Sequence, residues 1–364
     1  MRVVFAPDKF AGTLSAVEAA AAMANGWARR SPGDELVQVP MSDGGPGFVD
    51  VLHTALGGEL HAVTVTGPLG ESTPATVLSV GDTAYVESAQ AVGLHLTEPE
   101  ERDPERAHTR GLGELLDQAL ATGVGRIVIG LGGSATNDAG AGMLSALGAT
   151  AEGGSLDAGP AGLAEVTGVE LTTVRERFAG VELVMASDVD NPLLGIAGAT
   201  KIYGPQKGLP EERLVVVDAW LQRFAEVTDR KLAARKGAGA AGGLGFALML
   251  LGATRTPGVT LVSDAVGLSE HLAAADLVVT GEGAFDFSSR SGKVPYGVAE
   301  VAGEKLVPCI ALAGQVLIGS REMRALGVES AYSMVDLVGE ERALGAPAES
   351  LAGLAERTAR TWSR

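Results

Sequence analysis

Short apolar runs rich in β-branched residues alternate along this chain with longer runs of helical periodicity. This alternation is typical of βαβ units, in which helices cover both faces of a mostly parallel sheet. The pattern therefore predicts an α/β protein. Strands are predicted at residues 3–6, 36–40, 84–87, 126–130, 182–186, 276–280 and 307–313. Helices are predicted at residues 16–29, 111–121, 140–147, 211–227, 297–303 and 347–361.

The first predicted helix carries a start signal. Ser15 stands before it and Glu18 follows three residues later, which is the pattern of a capping box. Two other stretches break the alternation: residues 61–87 contain turn signals typical of hairpins, and residues 150–265 mix Gly-rich loops with helices. We expect a second domain inserted into the first. The expected division gives residues 1–58, 108–150 and 266–364 to the first domain, and 59–107 and 151–265 to the second.

Composition argues against several classes of partner. The net charge is −17, no basic run occurs and aromatic residues make up 4%, so nucleic-acid binding has no support. The single cysteine, Cys309, lies in an apolar run and is expected to be a buried core residue in a reducing compartment. The longest apolar stretch, around residues 246–251, is too short to span a bilayer. We expect a cytoplasmic protein without a signal peptide or a membrane partner.

Nearly every strand-like run ends in glycine or in an acidic or amide residue. In parallel sheets, ligands bind outside the carboxyl ends of the strands. Several such ends meeting at one crevice would make a site rich in carboxylates and backbone N–H groups. A loop that caps a helix also needs Gly and Asp, but the number of such ends favours a site. The strand ends are Asp8-Lys9, Ser42-Asp43-Gly44-Gly45, residues 132–138, residues 188–191, Gly281-Glu282-Gly283 and Gly314-Gln315.

The loop after residue 130 fits a G-x-G-x-x-A pattern between a strand and a helix. A nicotinamide dinucleotide site has weak support, because the acidic residue expected after a second strand is not evident. A phosphate suits the loop better: Gly132 and Gly133 let the backbone approach, while Ser134 and Thr136 add hydroxyls. No Walker-type P-loop and no protein-kinase signature occurs in the chain.

Phosphoryl transfer also needs acids and fixed positive charge. A metal must bridge the phosphates, a base must orient the attacking hydroxyl, and cations must neutralise the moving group. The strand-end acids that could serve are Asp43, Asp188, Glu282 and Asp286. The loop lysines that could serve are Lys9, Lys207 and Lys293. The five histidines show no metal-binding spacing and are interpreted as structural or surface residues.

These loops resemble, in order and over almost the whole chain, the motifs of the glycerate kinase family of the bacterial glycerate 2-kinase type. The resemblance implies a flavodoxin-like domain interrupted by a smaller mixed α/β domain, with the site in the cleft between them. It also implies ATP, Mg²⁺ and D-glycerate, usually phosphorylated at the 2-hydroxyl. The shared motifs begin with residues 6–10, 12–16, 40–45, 67–70 and 109–116, and continue with 129–138, 187–193, 203–208, 237–245, 280–283 and 292–295.

Roles follow from the resemblance combined with the chemistry of each residue. We expect Lys9, Asp43, Asp188 and Lys207 to be catalytic. The expected nucleotide or phosphate cradle consists of Gly132, Gly133, Ser134, Thr136, Asn137 and Asp138. The expected metal ligands are Asp188, Glu282 and Asp286. The expected acceptor-binding residues are Asp8, Gly44, Gly45, Asn191, Lys293 and Arg290.

The chain departs from the family pattern in three loops. Ala11 replaces a lysine, Pro46 and Phe48 replace a glutamate and a threonine, and Ala284 replaces an arginine that would bind a carboxylate in bidentate fashion. Ser288 and Ser289 also differ. Three interpretations stay open: an ordinary glycerate kinase, a kinase of a related acceptor such as a hydroxyalkylphosphonate, and an inactive nucleotide-binding homologue. The base (Asp43 or Asp188) and the oligomeric state (monomer or homodimer) also stay open.

Overall fold

The computed structural model describes residues 1–10, 12–286 and 293–363. The strands are β1 (Arg2–Pro7), β2 (Glu35–Gln38), β3 (Glu59–Thr66), β4 (Ser72–Val80), β5 (Thr83–Glu87), β6 (Arg126–Gly130), β7 (Thr150–Glu152), β8 (Gly168–Glu170), β9 (Glu182–Ala186), β10 (Thr254–Thr256), β11 (Leu277–Gly281), β12 (Ala284–Phe285), β13 (Cys309–Ala313), β14 (Gln315–Val316) and β15 (Ser330–Ser333). The helices are α1 (Ala16–Arg30), α2 (Phe48–Leu56), α3 (Ala89–Val92), α4 (Arg110–Ala121), α5 (Ala141–Ala146), α6 (Gly159–Gly162), α7 (Thr172–Arg177), α8 (Ala199–Tyr203), α9 (Leu214–Val227), α10 (Arg230–Ala233), α11 (Ala240–Leu250), α12 (Gly258–Ala265), α13 (Leu268–Ala273), α14 (Val294–Glu304), α15 (Ser320–Ala325), α16 (Met334–Val338), α17 (Glu340–Gly345) and α18 (Pro347–Trp362). Single 3₁₀ turns lie at Leu94–Leu96, Leu163–Glu165, Pro205–Lys207 and Glu211–Arg213.

The chain forms two compact α/β units, which confirms the predicted class. The first unit comprises the described residues of Met1–Asp43, Asp50–Gly57 and Pro257–Arg364. Its main sheet has five parallel strands in the order β15-β13-β11-β1-β2. Counted along the chain within this sheet, the order is 2-1-3-4-5, which is the flavodoxin-like topology expected from the resemblance.

Buried aliphatic strands and two long helices make the core of the first unit. Phe5 on β1 packs edge-to-face on Trp27 of α1, with 5.8 Å between the ring centroids. The capping box predicted for α1 is confirmed, since Ser15 and Glu18 each accept a hydrogen bond from the other's backbone N–H. Cys309 on β13 is buried as expected, and burial raises the pKa of its thiol to about 12.

The second unit consists of Gly44–Val49 and Gly58–Thr256. Its six-stranded sheet has the order β10-β9-β6-β5-β4-β3. The four strands from β10 to β5 are parallel, while β5, β4 and β3 form antiparallel hairpins. The hairpins lie where the sequence places them, at residues 61–87. Among the described helices, none has the length and apolar character needed to cross a membrane.

The longest segment that lies in a different unit from the one expected is residues 108–150; the short stretches 44–49, 58 and 257–265 also change unit. Residues 108–150 were assigned to the first domain, but strand β6 within them pairs in parallel with β5 on one side and β9 on the other. The segment therefore belongs to the second unit. A buried parallel strand is apolar on both faces, so its sequence indicates its type but not which sheet it joins.

Candidate functional site

The strand order of the first unit's sheet reverses between β1 and β11. The strands that follow β1 along the chain are added first on one side of this point (β2) and then on the other (β11, β13 and β15). Open parallel sheets bind ligands outside the carboxyl ends of the strands at such a switch point. Asp8 follows β1 directly, and its N–H donates a 2.8 Å hydrogen bond to the carbonyl of Gly281 at the end of β11. Glu282 is the next residue after β11. Two of the predicted acids thus stand at the position that the topology favours for a ligand.

Lys9 lies against two carboxylates at this edge. Its Nζ is 3.6 Å from Oδ1 of Asp8 and 3.5 Å from Oδ1 of Asp43. The backbone N–H of Lys9 also donates to Asp8 Oδ1 at 2.7 Å. The three predicted residues form one cluster, which we call the Asp8–Lys9–Asp43 cluster. Its ammonium is held in place by charge on two sides.

Burial governs the protonation of this cluster. It raises the pKa of Asp8 to about 7, against the lowering effect of Lys9, while the charges of Asp43 and Glu282 raise it further. Burial lowers the pKa of Lys9, but Asp8 and Asp43 outweigh it and the net shift is upward. At neutral pH, Asp8 is therefore poised between its two protonation states while Lys9 stays charged.

Glu282 and Asp286 both lie close to the ammonium group of Lys293. The Nζ of Lys293 lies 3.5 Å from Glu282 Oε2 and 3.6 Å from Asp286 Oδ1. Carboxylate oxygens converging on one positive group are a donor set that suits Mg²⁺, which proteins commonly hold with one or two carboxylates while phosphates and waters complete the shell. Within the part of the chain that the structure describes, no larger cluster of metal-binding side chains occurs. The two acids fit a magnesium ion shared with a phosphate substrate.

Some predicted residues lie outside the described part of the chain. These are Arg290, Ala11, Ser288 and Ser289. Lys293 is described, and it is the residue that precedes the first turn of α14.

In the second unit, the predicted cradle follows β6 and packs tightly against the segment 44–49. A Cβ on Gly132 would lie 2.7 Å from the Cα of Gly45, and one on Gly44 would lie 2.7 Å from the carbonyl oxygen of Ala186. Gly44 also has a φ of 92°, which favours glycine. Gly44, Gly45 and Gly132 therefore allow the segment 44–49 to touch both the loop after β6 and the end of β9, a role that needs no substrate.

Lys207 reaches into the cradle from the 3₁₀ turn Pro205–Lys207. Its Nζ donates to Ser134 Oγ at 2.9 Å and to the Thr136 carbonyl at 2.6 Å. Lys207 is 2% exposed and Ser134 is 4% exposed. Burial lowers the pKa of Lys207 to about 7, and the negative charge of Asp138 opposes this shift.

The inner half of the cradle is fully buried. Asn137 donates from Nδ2 to Thr200 Oγ1 at 3.0 Å. Among the described groups, Thr136 Oγ1 and Asn137 Oδ1 have no hydrogen-bond partner. Asp138 accepts four hydrogen bonds, from the N–H and hydroxyl of Thr109 and from the N–H groups of Gly140 and Gly142. Asp138 thus stabilises the loop and the start of α5, whereas Gly132 and Gly133 form the outer part of the loop and Ser134 lies buried between the two parts.

The loop after β9 contains Asp188 and Asn191. Asp188 is half-buried and lies two residues after the end of β9. Asn191 donates from Nδ2 to the Ala197 carbonyl at 2.7 Å and accepts from the Tyr203 hydroxyl at 2.8 Å. Both ends of the Asn191 amide are therefore engaged in holding the loop to the region of α8.

Two supporting residues were missed at the sequence level. Glu87, at the end of β5, is 4% exposed and accepts hydrogen bonds from the N–H groups of Gly47 (3.1 Å) and Val49 (3.2 Å). The rule that picked out the other strand-end acids would have found it. Thr200, the partner of Asn137, carries no such signal, because the two residues are 63 positions apart.

The altered positions differ in their surroundings. Phe48 is fully buried, with its ring edge-to-face on Tyr85 at 6.3 Å between centroids. Pro46 packs beside Gly133. Ala284 lines a cavity of about 260 Å³ beyond the carboxyl ends of β11 and β13, together with groups that include Thr13 and Gln315. Ala284 thus lies beside an open space, whereas Phe48 is fully enclosed by protein.

Comparisons with known proteins identify the family of this chain. The model of the glycerate kinase family matches residues 3–363. The chain belongs to the glycerate kinase family. Members of this family are small-molecule kinases, and the kinase reaction implies ATP as the phosphoryl donor. The resemblance inferred from the loop motifs is confirmed.

Three relatives illustrate how far the similarity extends. The chain is 41% identical to a glycerate kinase of Bacillus subtilis (strain 168), over 92% of this chain and 90% of the relative. It is 41% identical to the glycerate 2-kinase of Escherichia coli (strain K12), over 93% of this chain and 92% of the relative. The crystal structure of a putative glycerate kinase 2 from Salmonella typhimurium LT2 matches with a TM-score of 0.83 and 38% identity, covering 99% and 98% of the two chains.

Proposed function

We propose that this protein transfers the γ-phosphoryl group of ATP to the 2-hydroxyl of D-glycerate, giving 2-phosphoglycerate. The observation that carries the proposal is the Asp8–Lys9–Asp43 cluster at the switch point of the parallel sheet. A fixed ammonium beside a carboxylate with a pKa near 7 supplies the two groups that phosphorylation of an alcohol needs from the protein.

In this proposal, Asp8 takes the proton of the acceptor hydroxyl as the oxygen attacks phosphorus. A carboxylate with a pKa of about 7 is ionised often enough at neutral pH, yet basic enough, to accept that proton. Lys9 offsets the negative charge that develops near the transferred group. Asp43 keeps the Lys9 ammonium in place through its 3.5 Å contact. Asp8 therefore joins Asp43 and Asp188 as a candidate base.

Glu282 and Asp286 would hold Mg²⁺. The ion supplies charge neutralisation for the phosphates. Lys293, between the two acids, would exchange its carboxylate contacts for a phosphate oxygen when the metal binds. The backbone of Gly132 and Gly133 and the hydroxyl of Ser134 would hold the nucleotide phosphates.

A related acceptor is the second candidate, and one observation favours it. Ala284 stands where the family pattern has arginine. It lines a cavity of about 260 Å³ whose wall also includes Gln315 and Glu340. A small side chain there leaves room for a bulkier acceptor and removes a bidentate carboxylate partner. A hydroxyalkylphosphonate is such an acceptor. The buried Phe48, by contrast, offers nothing to a substrate.

The test is ATP turnover by the purified protein with D-glycerate, beside a panel of hydroxy acids and hydroxyphosphonates, with the product identified by phosphorus NMR. Efficient conversion of D-glycerate to 2-phosphoglycerate supports the first proposal. Poor turnover of glycerate with a better acceptor in the panel supports the second. Binding of Mg·ATP without turnover on any acceptor would identify an inactive homologue and overturn both.

A further inference from the structure

Lys207 is placed unusually for a residue of a phosphate site. Lysine is rarely fully buried unless it pairs with an opposite charge, yet this side chain is 2% exposed. Both of its described hydrogen bonds go to protein atoms of the cradle, Ser134 Oγ at 2.9 Å and the Thr136 carbonyl at 2.6 Å. Gly208, with a φ of 93°, turns the chain directly after it. The ammonium therefore lies inside the loop, beneath its outer surface.

We propose that Lys207 is a positioning residue that makes the Ser134 hydroxyl a hydrogen-bond donor to a nucleotide phosphate. The inference rests on the proposed function of the cradle. A serine hydroxyl has one proton and two acceptor lone pairs. When the Lys207 ammonium donates to one lone pair, the Ser134 hydroxyl does not donate to Lys207. Its proton can then form a hydrogen bond to a phosphate oxygen. The same ammonium supports the loop through the Thr136 carbonyl.

The charged groups around Lys207 decide when it is an ammonium. Asp138 attracts it electrostatically but already accepts four hydrogen bonds from other groups. Arg102 contacts the adjoining Gly208 region. Tyr203, on α8, directs its hydroxyl to Asn191. With a pKa of about 7, Lys207 is largely neutral at pH 8 in the free protein.

A bound phosphate changes this balance. Its negative charge favours the ammonium, so nucleotide binding should raise the pKa of Lys207 and draw a proton from solution. Proton uptake should be small at pH 6, where Lys207 is already protonated, and approach roughly one proton at pH 8. A lysine too far from the bound phosphate to interact with its charge would show no such linkage.

Titration calorimetry of the full-length protein with Mg·ATP, in two buffers of different ionisation enthalpy, measures this uptake. We expect uptake at pH 8 for the wild type and its loss in Lys207→Met. The KM for ATP should rise about 10-fold in Lys207→Met and in Ser134→Ala, with a smaller change in kcat, and the double variant should be no worse than either. Lys231→Met, at an exposed position of the same unit, is the matched control and should behave as wild type.

The outcomes separate this inference from the proposed function. If the wild type turns over substrate but Lys207→Met retains the same proton uptake, the inference fails and the kinase assignment stands. If no acceptor is phosphorylated but ATP binding still takes up a Lys207-dependent proton, the inference stands and the proposed function fails. Should Lys207→Met not fold, Ser134→Ala with rescue by Ser134→Thr decides, and an unchanged KM in Ser134→Ala overturns the inference.

Discussion

The ammonium of Lys9 lies 3.5 Å from the carboxylate of Asp43, although the two residues are 34 positions apart. They follow β1 and β2, which are parallel neighbours in the first unit's sheet. Parallel strands end at the same edge, so the topology brings the two side chains together. With 23% of its side chain exposed, Lys9 is a fixed positive charge that still reaches solvent.

We expect Lys9→Met to lower kcat/KM by about 100-fold, the usual loss when one preorganised electrostatic partner of a transition state is removed. The fold should persist, because methionine has a similar length and the site is partly open. Steady-state kinetics with ATP and D-glycerate measure the effect. Lys305→Met, at an exposed position of the same unit, is the control. Equal kcat/KM values for the two variants would rule out a catalytic role for Lys9.

Asp8 links activity to a cost in stability. Its pKa in the folded protein, about 7, exceeds the ordinary 3.8. Between these values the folded state binds more protons than the unfolded state, so stability falls as pH rises from about 4 through 7. Asp8→Asn removes this penalty. We expect the variant to be about 4 kcal/mol more stable than wild type at pH 8 and nearly equal at pH 4. Urea unfolding at both pH values measures the difference.

The same variant should lose most of its activity, because an amide cannot accept the hydroxyl proton. The rise of kcat/KM with pH near 7 should disappear with it. Asp264→Asn, at an exposed site on α12, controls for a general effect of removing a carboxylate. An Asp8→Asn protein that is no more stable at pH 8 than wild type would contradict the interpretation of Asp8 as a buried acid whose ionisation lowers stability.

Magnesium dependence tests the pair of acids beside Lys293. Glu282→Gln and Asp286→Asn each remove one negative oxygen ligand, so the Mg²⁺ concentration for half-maximal activity should rise roughly 10-fold or more. Activity titrated with Mg²⁺ at saturating ATP measures it. Glu304→Gln, exposed at the end of α14, is the control. If saturating Mg²⁺ is unchanged in both variants, the metal is held elsewhere.

Much of the fold was predictable because local patterns agree with the tertiary structure. Strands β6 and β9 begin and end where the apolar runs do, and α1 begins at its capping box. Strand β15 was missed. Its sequence, Ser-Ala-Tyr-Ser, is half-buried at the sheet edge and lacks an apolar run. The placement of residues 108–150 failed because strand type does not encode strand partner.

The candidate site was predictable in part. The strand-end rule found Asp8, Asp43 and Glu282, because a parallel sheet brings such ends to one edge. It did not distinguish a carboxylate that faces a ligand from one that the protein saturates. Asp138 is of the second kind, since it accepts four hydrogen bonds, two of them from Thr109, 29 positions away. The amide of Asn191 is likewise engaged, by Ala197 and Tyr203. Only the assembled loops determine which polar atoms stay available.

Restoring the family residue at position 48 should damage the protein without changing its acceptor. Phe48 is fully buried against Tyr85, so Phe48→Thr leaves a cavity and buries a hydroxyl. We expect a loss of about 3 kcal/mol in the free energy of unfolding. The ratio of kcat/KM values for glycerate and a hydroxyalkylphosphonate should stay constant. Phe48→Leu should cost less stability, and a shift of that ratio in Phe48→Thr would return position 48 to the acceptor site.

A last prediction concerns the contact beneath the cradle. Gly242 has a φ of 71°, and a Cβ there would lie 1.9 Å from the carbonyl oxygen of Thr136, the atom that also accepts a hydrogen bond from Lys207. Gly242→Ala must therefore displace the cradle. We expect both a lower melting temperature and a KM for ATP raised about 10-fold, since small displacements of a binding loop cost this much or more.

Gly252 provides the matched control. Its φ of 91° is equally unfavourable for alanine, but a Cβ there meets no atom within 4 Å. Gly252→Ala thus carries the backbone strain, about 1 kcal/mol, without the clash. Its KM for ATP should equal that of the wild type, so the difference between the two variants isolates the effect of moving Thr136. If both variants show the same KM, the cradle either tolerates the displacement or does not bind the nucleotide, and Ser134→Ala separates these two explanations because it alters the cradle without moving its backbone.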